Sequence, residues 1–201
     1  MIAVIDYGMG NLRSVQKGFE HIGAQAEIVR DPNRTKDASA LVLPGQGEFG
    51  SAMRELRAGG MDEAVLDFIR AGKPFMGVCI GLQALFESSE EAPETPGLGV
   101  LPGVVKRFQP GLKIPHMGWN QLELRSRPPH LRDVKEGDYV YFVHSYYAAP
   151  AQESDVAAAT EYGERFASAV YRENIFASQF HPEKSQSVGL NILRAFAELA
   201  E

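Results

Sequence analysis

Short apolar runs alternate with helically spaced stretches through the first half of this chain. Residues 2–6, 26–29, 40–45 and 74–78 each read as a buried strand. Between the first two, Leu12, Val15, Phe19 and Ile22 recur at helical spacing, with Asn11 placed to cap that helix and Gly23 to end it. Residues 61–72 are amphipathic and stop at a glycine, and residues 80–89 predict a helix directly after the fourth strand. Apolar strands separated by helices imply a parallel sheet with helices on both faces.

The second half changes character. Residues 103–108, 118–124, 139–149, 155–162, 166–172 and 175–180 read as short strands separated by turns. Residues 90–97, "EEAPETPG", are acidic and proline-containing, which predicts a solvated surface loop. The chain closes with a helix over residues 187–200, whose Val188, Ile192, Phe196 and Leu199 mark one apolar face. No repeat or linker interrupts the pattern. The expected architecture is α/β: a mostly parallel central sheet flanked by helices with added antiparallel strands, forming a single domain over residues 1–201.

Composition narrows the function classes. With 201 residues and 44% hydrophobics, the chain is long enough to bury a substantial core. A net charge of −6, without a dense Lys/Arg run, argues against a nucleic-acid or membrane surface. The apolar segments are too short to span a bilayer, and no secretory leader is evident. One cysteine allows no internal disulfide, which suits a reducing cytoplasm. A lone cysteine and the absence of HExxH also predict no metal, and no cofactor is expected.

That cysteine stands in "MGVCIGLQALF", between Gly77 and Gly81. A residue between a strand end and a helix start is held in a sharp, exposed turn if its neighbours are small, and G-x-C-x-G is the cysteine form of the nucleophile elbow. Helix-start N–H groups favour a thiolate at Cys79, and the Ile80 N–H would point toward an oxyanion. "SQFHPEKS" places His181 after another strand, where it can act as a base, with Glu183 two residues on to orient it and Pro182 restricting the backbone between them. Backbone N–H groups of Gly45 and Gly47 in "LPGQGEFG" could complete an oxyanion hole. Gly8-x-Gly10 after the first strand hints at dinucleotide binding, but Arg13 stands where a third glycine is needed. His116 and His144 are other candidate bases; His144, in a Tyr-rich strand-like stretch, suits a core or pocket-wall role better.

Residues 77–81, "HPE" at 181–183 and "PGQG" at 44–47 together resemble the class I (triad) glutamine amidotransferases, a flavodoxin-like α/β family. "IDYGMGNLRSV", "LFESSEE", "IPHMGWN" and "YFVHSYY" resemble, within that class, the glutaminase subunits of imidazole glycerol phosphate synthases from histidine biosynthesis. The similarity runs over essentially the whole chain. One departure is Gln46, where the family often has valine between the loop glycines; the backbone donors are unaffected. The resemblance implies hydrolysis of glutamine to glutamate and ammonia through a thioester on Cys79. It also implies a heterodimer with a (β/α)8-barrel cyclase that receives the ammonia. It further implies that Gly47, Gln83 and the backbone of His144, Ser145 and Tyr146 bind glutamine, and that Asn11, Met117 and Trp119 face the cyclase. The alternatives are a glutaminase serving pyridoxal phosphate or anthranilate synthesis, or a cysteine esterase or peptidase on a related scaffold.

Overall fold

The structure is a computed structural model that describes residues 1–200. The first half runs β1 (Ile2–Ile5), α1 (Leu12–His21), β2 (Ala26–Val29), β3 (Ala40–Leu43), α2 (Phe49–Ala58), α3 (Met61–Arg70), β4 (Phe75–Val78) and the short α4 (Ile80–Gln83). The second half adds β5 (Ser88–Ser89), β6 (Gly103–Arg107), β7 (His116–Gln121), β8 (Glu123–Leu124), β9 (Tyr139–His144), β10 (Tyr146–Pro150), β11 (Val156–Tyr162), β12 (Glu164–Arg172), β13 (Ile175–Ser178) and α5 (Gln186–Glu198).

The main sheet has the order β2-β1-β3-β4-β13-β12-β11-β8. β2, β1, β3, β4 and β13 are parallel, and β12, β11 and β8 extend the sheet antiparallel. β1, β3, β4 and β13 are buried along their whole length, which is why they read as unbroken apolar runs rather than alternations. The expected fold class is therefore seen. Two smaller sheets, β10-β6-β5 and β7-β9, lie outside the main one.

Several expectations need correction. Asn11 precedes α1 but its side chain caps nothing. The helix ends as expected, with Gly23 at φ +82° donating its N–H to Glu20. The glycine-rich stretch after β3 hid α2, which is capped by Glu48 accepting from the N–H groups of Gly50 and Ser51 at 3.0 and 2.9 Å. The helix expected over residues 80–89 stops at Gln83. The carbonyls of Ala84, Leu85 and Phe86 instead accept from Leu98, Val100, Leu101 and Gly99. Gly97 lies so close that a Cβ there would sit 1.9 Å from the Phe86 carbonyl oxygen. Residues 139–149 do not form one strand. The chain breaks at Ser145, β9 pairing with β7 and β10 with β6. On α5 the buried face is Gly189, Ile192, Leu193, Ala195 and Phe196, while Val188 is half-buried and Leu199 is exposed.

One buried imidazole of this core is left without hydrogen bonds. His130 stacks on Phe176 at 4.5 Å, also lies near Phe196, and neither ring nitrogen has a protein partner. Burial pushes its pKa down to about 4. Unfolded, the same ring titrates near 6.5, so below that pH the unfolded chain binds the extra proton and stability falls. We predict that the urea midpoint drops as pH falls from 7 to 4.5, with His130 contributing about 2 kcal/mol of that loss. His130→Leu should flatten this slope without lowering stability at pH 7. A slope unchanged by the substitution would contradict this account.

Candidate active site

β4 and β13 are parallel neighbours with Val78 opposite Ser178. Their carboxyl ends therefore release Cys79 and the segment 179–183 side by side. The Cys79 N–H donates to the Ser178 carbonyl at 2.8 Å, which ties the two ends together. Cys79 sits at φ 55° and ψ −107°, a left-handed conformation that L-residues resist. The flanking glycines make the turn possible. A Cβ on Gly77 would lie 2.6 Å from the Gly81 carbonyl oxygen, and one on Gly81 would lie 1.9 Å from the Leu43 oxygen. No side chain fits at either position.

His181 lies beyond the end of β13, buried, with its backbone fixed on both sides. Its N–H donates to Tyr141 at 3.0 Å, and its carbonyl accepts from Ser185 Oγ at 2.7 Å. Nδ1 is 2.8 Å from Glu183 Oε1, with the Glu183 side chain 2% exposed. Nε2 has no hydrogen-bond partner within the protein. Burial alone would lower the His181 pKa, but Cys79 and Glu183 outweigh it and raise the pKa to about 10. The ring is thus favoured as an imidazolium at neutral pH, the partner that an activated cysteine requires.

Cys79, Ile80 and His181 open on a cavity of about 520 Å3, together with Gln46, Gly47, Gln83, His144, Ser145 and Tyr146. Ile80, first residue of α4, has an N–H with no intrahelical acceptor. Gly47 lines the cavity at φ +94°. Gly45 does not line it; its Cα packs against the elbow, where a Cβ would meet Ile80 Cβ at 2.6 Å. A larger cavity of about 880 Å3, bounded by β10, β11 and β12, holds neither cysteine nor histidine. Among the described residues, no group of three or more His, Cys, Asp or Glu is gathered to hold a metal.

His144 is a wall and not a base, because both its nitrogens are engaged. Nδ1–H donates to the Tyr146 carbonyl at 2.8 Å, so Nε2 accepts from His116 Nδ1 at 2.9 Å. His116 Nε2 in turn accepts from Asn120 at 3.2 Å. Burial pushes His144 to about 3 and His116 to about 4, in keeping with two neutral rings. The Tyr146 carbonyl also accepts from Gln83 Nε2 at 3.0 Å, so it is not free for a ligand. Gln83 Oε1 is buried without a partner.

Two lining groups escape a reading of the sequence. Glu91, placed by its neighbours in a solvated loop, turns inward and accepts from the Phe49 N–H at 2.8 Å. Lys184 reaches over the Tyr141 ring at 5.9 Å, and Tyr141 meets Trp119 edge-on at 6.0 Å. Asn11, Met117 and Trp119 do not line the cavity. Met117 is 61% and Trp119 46% exposed on β7, with Tyr139 54% exposed on the paired β9.

This geometry has a counterpart among known proteins. The family model for Glutamine amidotransferase class-I matches residues 3–199. The chain belongs to the class-I glutamine amidotransferases. It is 52% identical to the imidazole glycerol phosphate synthase subunit HisH of Geobacter sulfurreducens, over 98% of each chain. It is 51% identical to that of Methanothermobacter thermautotrophicus, over 99% of this chain and 98% of the relative. Among solved structures of this fold, a crystal structure of a glutamine amidotransferase superposes with a TM-score of 0.78 at 24% identity, over 100% of this chain and 99% of that one. PurLQS from Thermotoga maritima also superposes with a TM-score of 0.78, at 18% identity.

In this class-I amidotransferase the elbow strain is measurable. A non-glycine residue in such a conformation costs on the order of 1–3 kcal/mol, against up to about 1 kcal/mol of extra unfolded-state entropy for glycine. Cys79→Gly should therefore be about 1 kcal/mol more stable than Cys79→Ala by urea unfolding. The reverse order would mean that the turn is not strained.

Proposed function

We propose that this chain is the glutaminase subunit of an imidazole glycerol phosphate synthase and supplies ammonia to a cyclase subunit in histidine biosynthesis. The observation that carries the chemistry is the elbow cysteine beside a buried His181–Glu183 pair, opening on one cavity. The observation that carries the acceptor is identity of about half to HisH subunits over nearly the full length.

The reaction follows from the residue types. The Cys79 thiolate attacks the side-chain amide carbon of glutamine, and the carbonyl oxygen becomes an oxyanion. The N–H of Ile80 and an N–H from the loop 45–47 hold it, each such donor contributing about 3 kcal/mol to the transition state. His181 gives its Nε2 proton to the departing nitrogen, which leaves as ammonia, and a γ-glutamyl thioester remains on Cys79. Water then loses a proton to the same nitrogen, attacks the thioester and releases glutamate. Glu183 keeps the proton of His181 Nδ1 and supports the imidazolium.

The cavity suits a free amino acid. Glu91 offers an anion for an α-ammonium group, and the unpartnered Gln83 Oε1 offers an acceptor. Gly47 and the backbone of residues 144–146 complete our assignment of the glutamine pocket. We assign to the cyclase, a (β/α)8 barrel, the exposed Met117, Trp119 and Tyr139 of the β7–β9 pair, together with Asn11. A partner makes physical sense. Ammonia released into neutral water is mostly protonated and no longer a nucleophile, so synthesis needs a sheltered path.

Mixing this chain with a cyclase subunit tests the reading. Cys79→Ala should lower glutamine-dependent synthesis by at least 1,000-fold, while added ammonium salt still supports it. Glutamine-dependent synthesis that survives the substitution would refute Cys79 as nucleophile, and a cyclase that ignores this chain would refute the acceptor.

A further inference from the structure

We infer that Gln179 is a positioning residue of the glutaminase, donating a hydrogen bond from its side-chain amide to the Cys79 sulfur. The inference rests on the reading of Cys79 as the nucleophile. Gln179 is fully buried and its Nε2 lies 3.6 Å from Cys79 Sγ, within reach of an N–H···S bond. The fold puts it there. Val78 faces Ser178 across the parallel pair β4–β13, so the next residue on each strand is Cys79 and Gln179. Gln179 and His181 stand two apart in the bend that follows β13, Gln179 with its amide nitrogen against Cys79 and His181 on the cavity that Cys79 lines. The sulfur is thus approached by an amide from one and an imidazole from the other.

Which end of the amide faces the sulfur is fixed by the surrounding bonds. The Tyr146 carbonyl can only accept, so the Gln83 atom 3.0 Å from it is the nitrogen. That same nitrogen lies 3.1 Å from the near atom of the Gln179 amide, which must therefore be the oxygen. The other end of Gln179, against Cys79, is NH2. His144, itself held by His116, donates to the same Tyr146 carbonyl and keeps it in place. The Gln179 N–H is consequently aimed before any substrate arrives. A donor fixed in a buried site favours the anionic sulfur over the neutral thiol, which is a weak acceptor.

The test compares Gln179→Met, which keeps the length and loses the donor, with Gln179→Glu, which puts an acceptor where the donor was. The rate of Cys79 alkylation by iodoacetamide is followed against pH, and glutamine turnover is measured in the complex with the cyclase. The alkylation midpoint should move about 1 to 2 pH units upward in Gln179→Met and at least as far in Gln179→Glu. Glutamine turnover should fall about 10- to 100-fold, with KM changed much less and ammonia-dependent synthesis retained. Retained ammonia-dependent synthesis reports a folded, assembled subunit. An alkylation profile equal to that of the unsubstituted chain in either folded variant would overturn the inference. If neither variant folds, the unsubstituted chain decides: the Gln179 side-chain amide protons should move in NMR spectra when Cys79 is replaced by Ala, and unmoved protons would overturn the inference. If Cys79→Ala itself leaves glutamine turnover intact, it is the reading of the nucleophile that fails, whatever Gln179 does.

Discussion

The left-handed turn at Cys79 is the constraint on which the rest of the site depends. A residue at φ 55° between a buried strand and a helix can be held only where the backbone around it is packed against something rigid. Here Leu43 of β3 lies against Gly81, and Gly81 lies against Gly77, closer than any side chain permits. β3 and β4 are adjacent parallel strands, so the same sheet that buries the core also clamps the elbow. The strain is stored where a sulfur opens on the cavity, and the hydrophobic burial of four fully covered strands sustains it.

Parallel neighbours then bring the remaining chemistry to the same edge. β13 runs beside β4, so its carboxyl end delivers Gln179 and His181 next to the sulfur. β3 ends in the loop 44–47, whose Gly45 rests on Ile80 at the start of α4. Three strands thus each contribute one component at their carboxyl ends: an elbow cysteine, a histidine with its carboxylate, and a glycine loop. The antiparallel strands add the opposite wall, because the break at Ser145 turns the chain from the β7–β9 pair into β10 along the cavity.

This division explains what could be read in advance. The elbow glycines and the His181–Glu183 pair are local patterns, legible because each requirement is met within a few residues of the group it serves. The parallel sheet was legible because β1, β3, β4 and β13 are buried on both faces and carry no polar alternation. Other features depend on distant chain segments. The helix after Cys79 is cut short by hydrogen bonds from residues 98–101, which no spacing within residues 80–89 reveals. Glu91 looks like one more carboxylate in an acidic loop until the fold turns it onto the start of α2. Gln179 gains its meaning only from the register of β13 on β4. Helix α2 was masked by Gly50 and the loop glycines just before it; Gly50 lies against the Glu48 cap and Ala92.

The distribution of unsatisfied polar atoms sharpens the argument. A buried polar atom without a partner costs about 1–3 kcal/mol, so a fold tolerates few of them without cause. Among the described residues there are six such side-chain atoms, and three belong to Gln83, His181 and Glu183, all within or directly behind the cavity. His130 and Ser168 hold the others, and His130 sits in apolar packing on Phe176. The two groups differ in what surrounds them. Gln83 Oε1 and His181 Nε2 belong to side chains fixed by 3.0 and 2.8 Å hydrogen bonds at their other ends, and both residues line the cavity. An atom so held, with its own valence unfilled, fits the proposed pocket better than it fits a packing defect, because its other end is already oriented by a network. His130 has no such network, stacked as it is between hydrophobic rings, and it stands as a destabilising residue of the core. The same local fault therefore has opposite meanings in two parts of one molecule, and the hydrogen bonds on the far side of each group tell them apart.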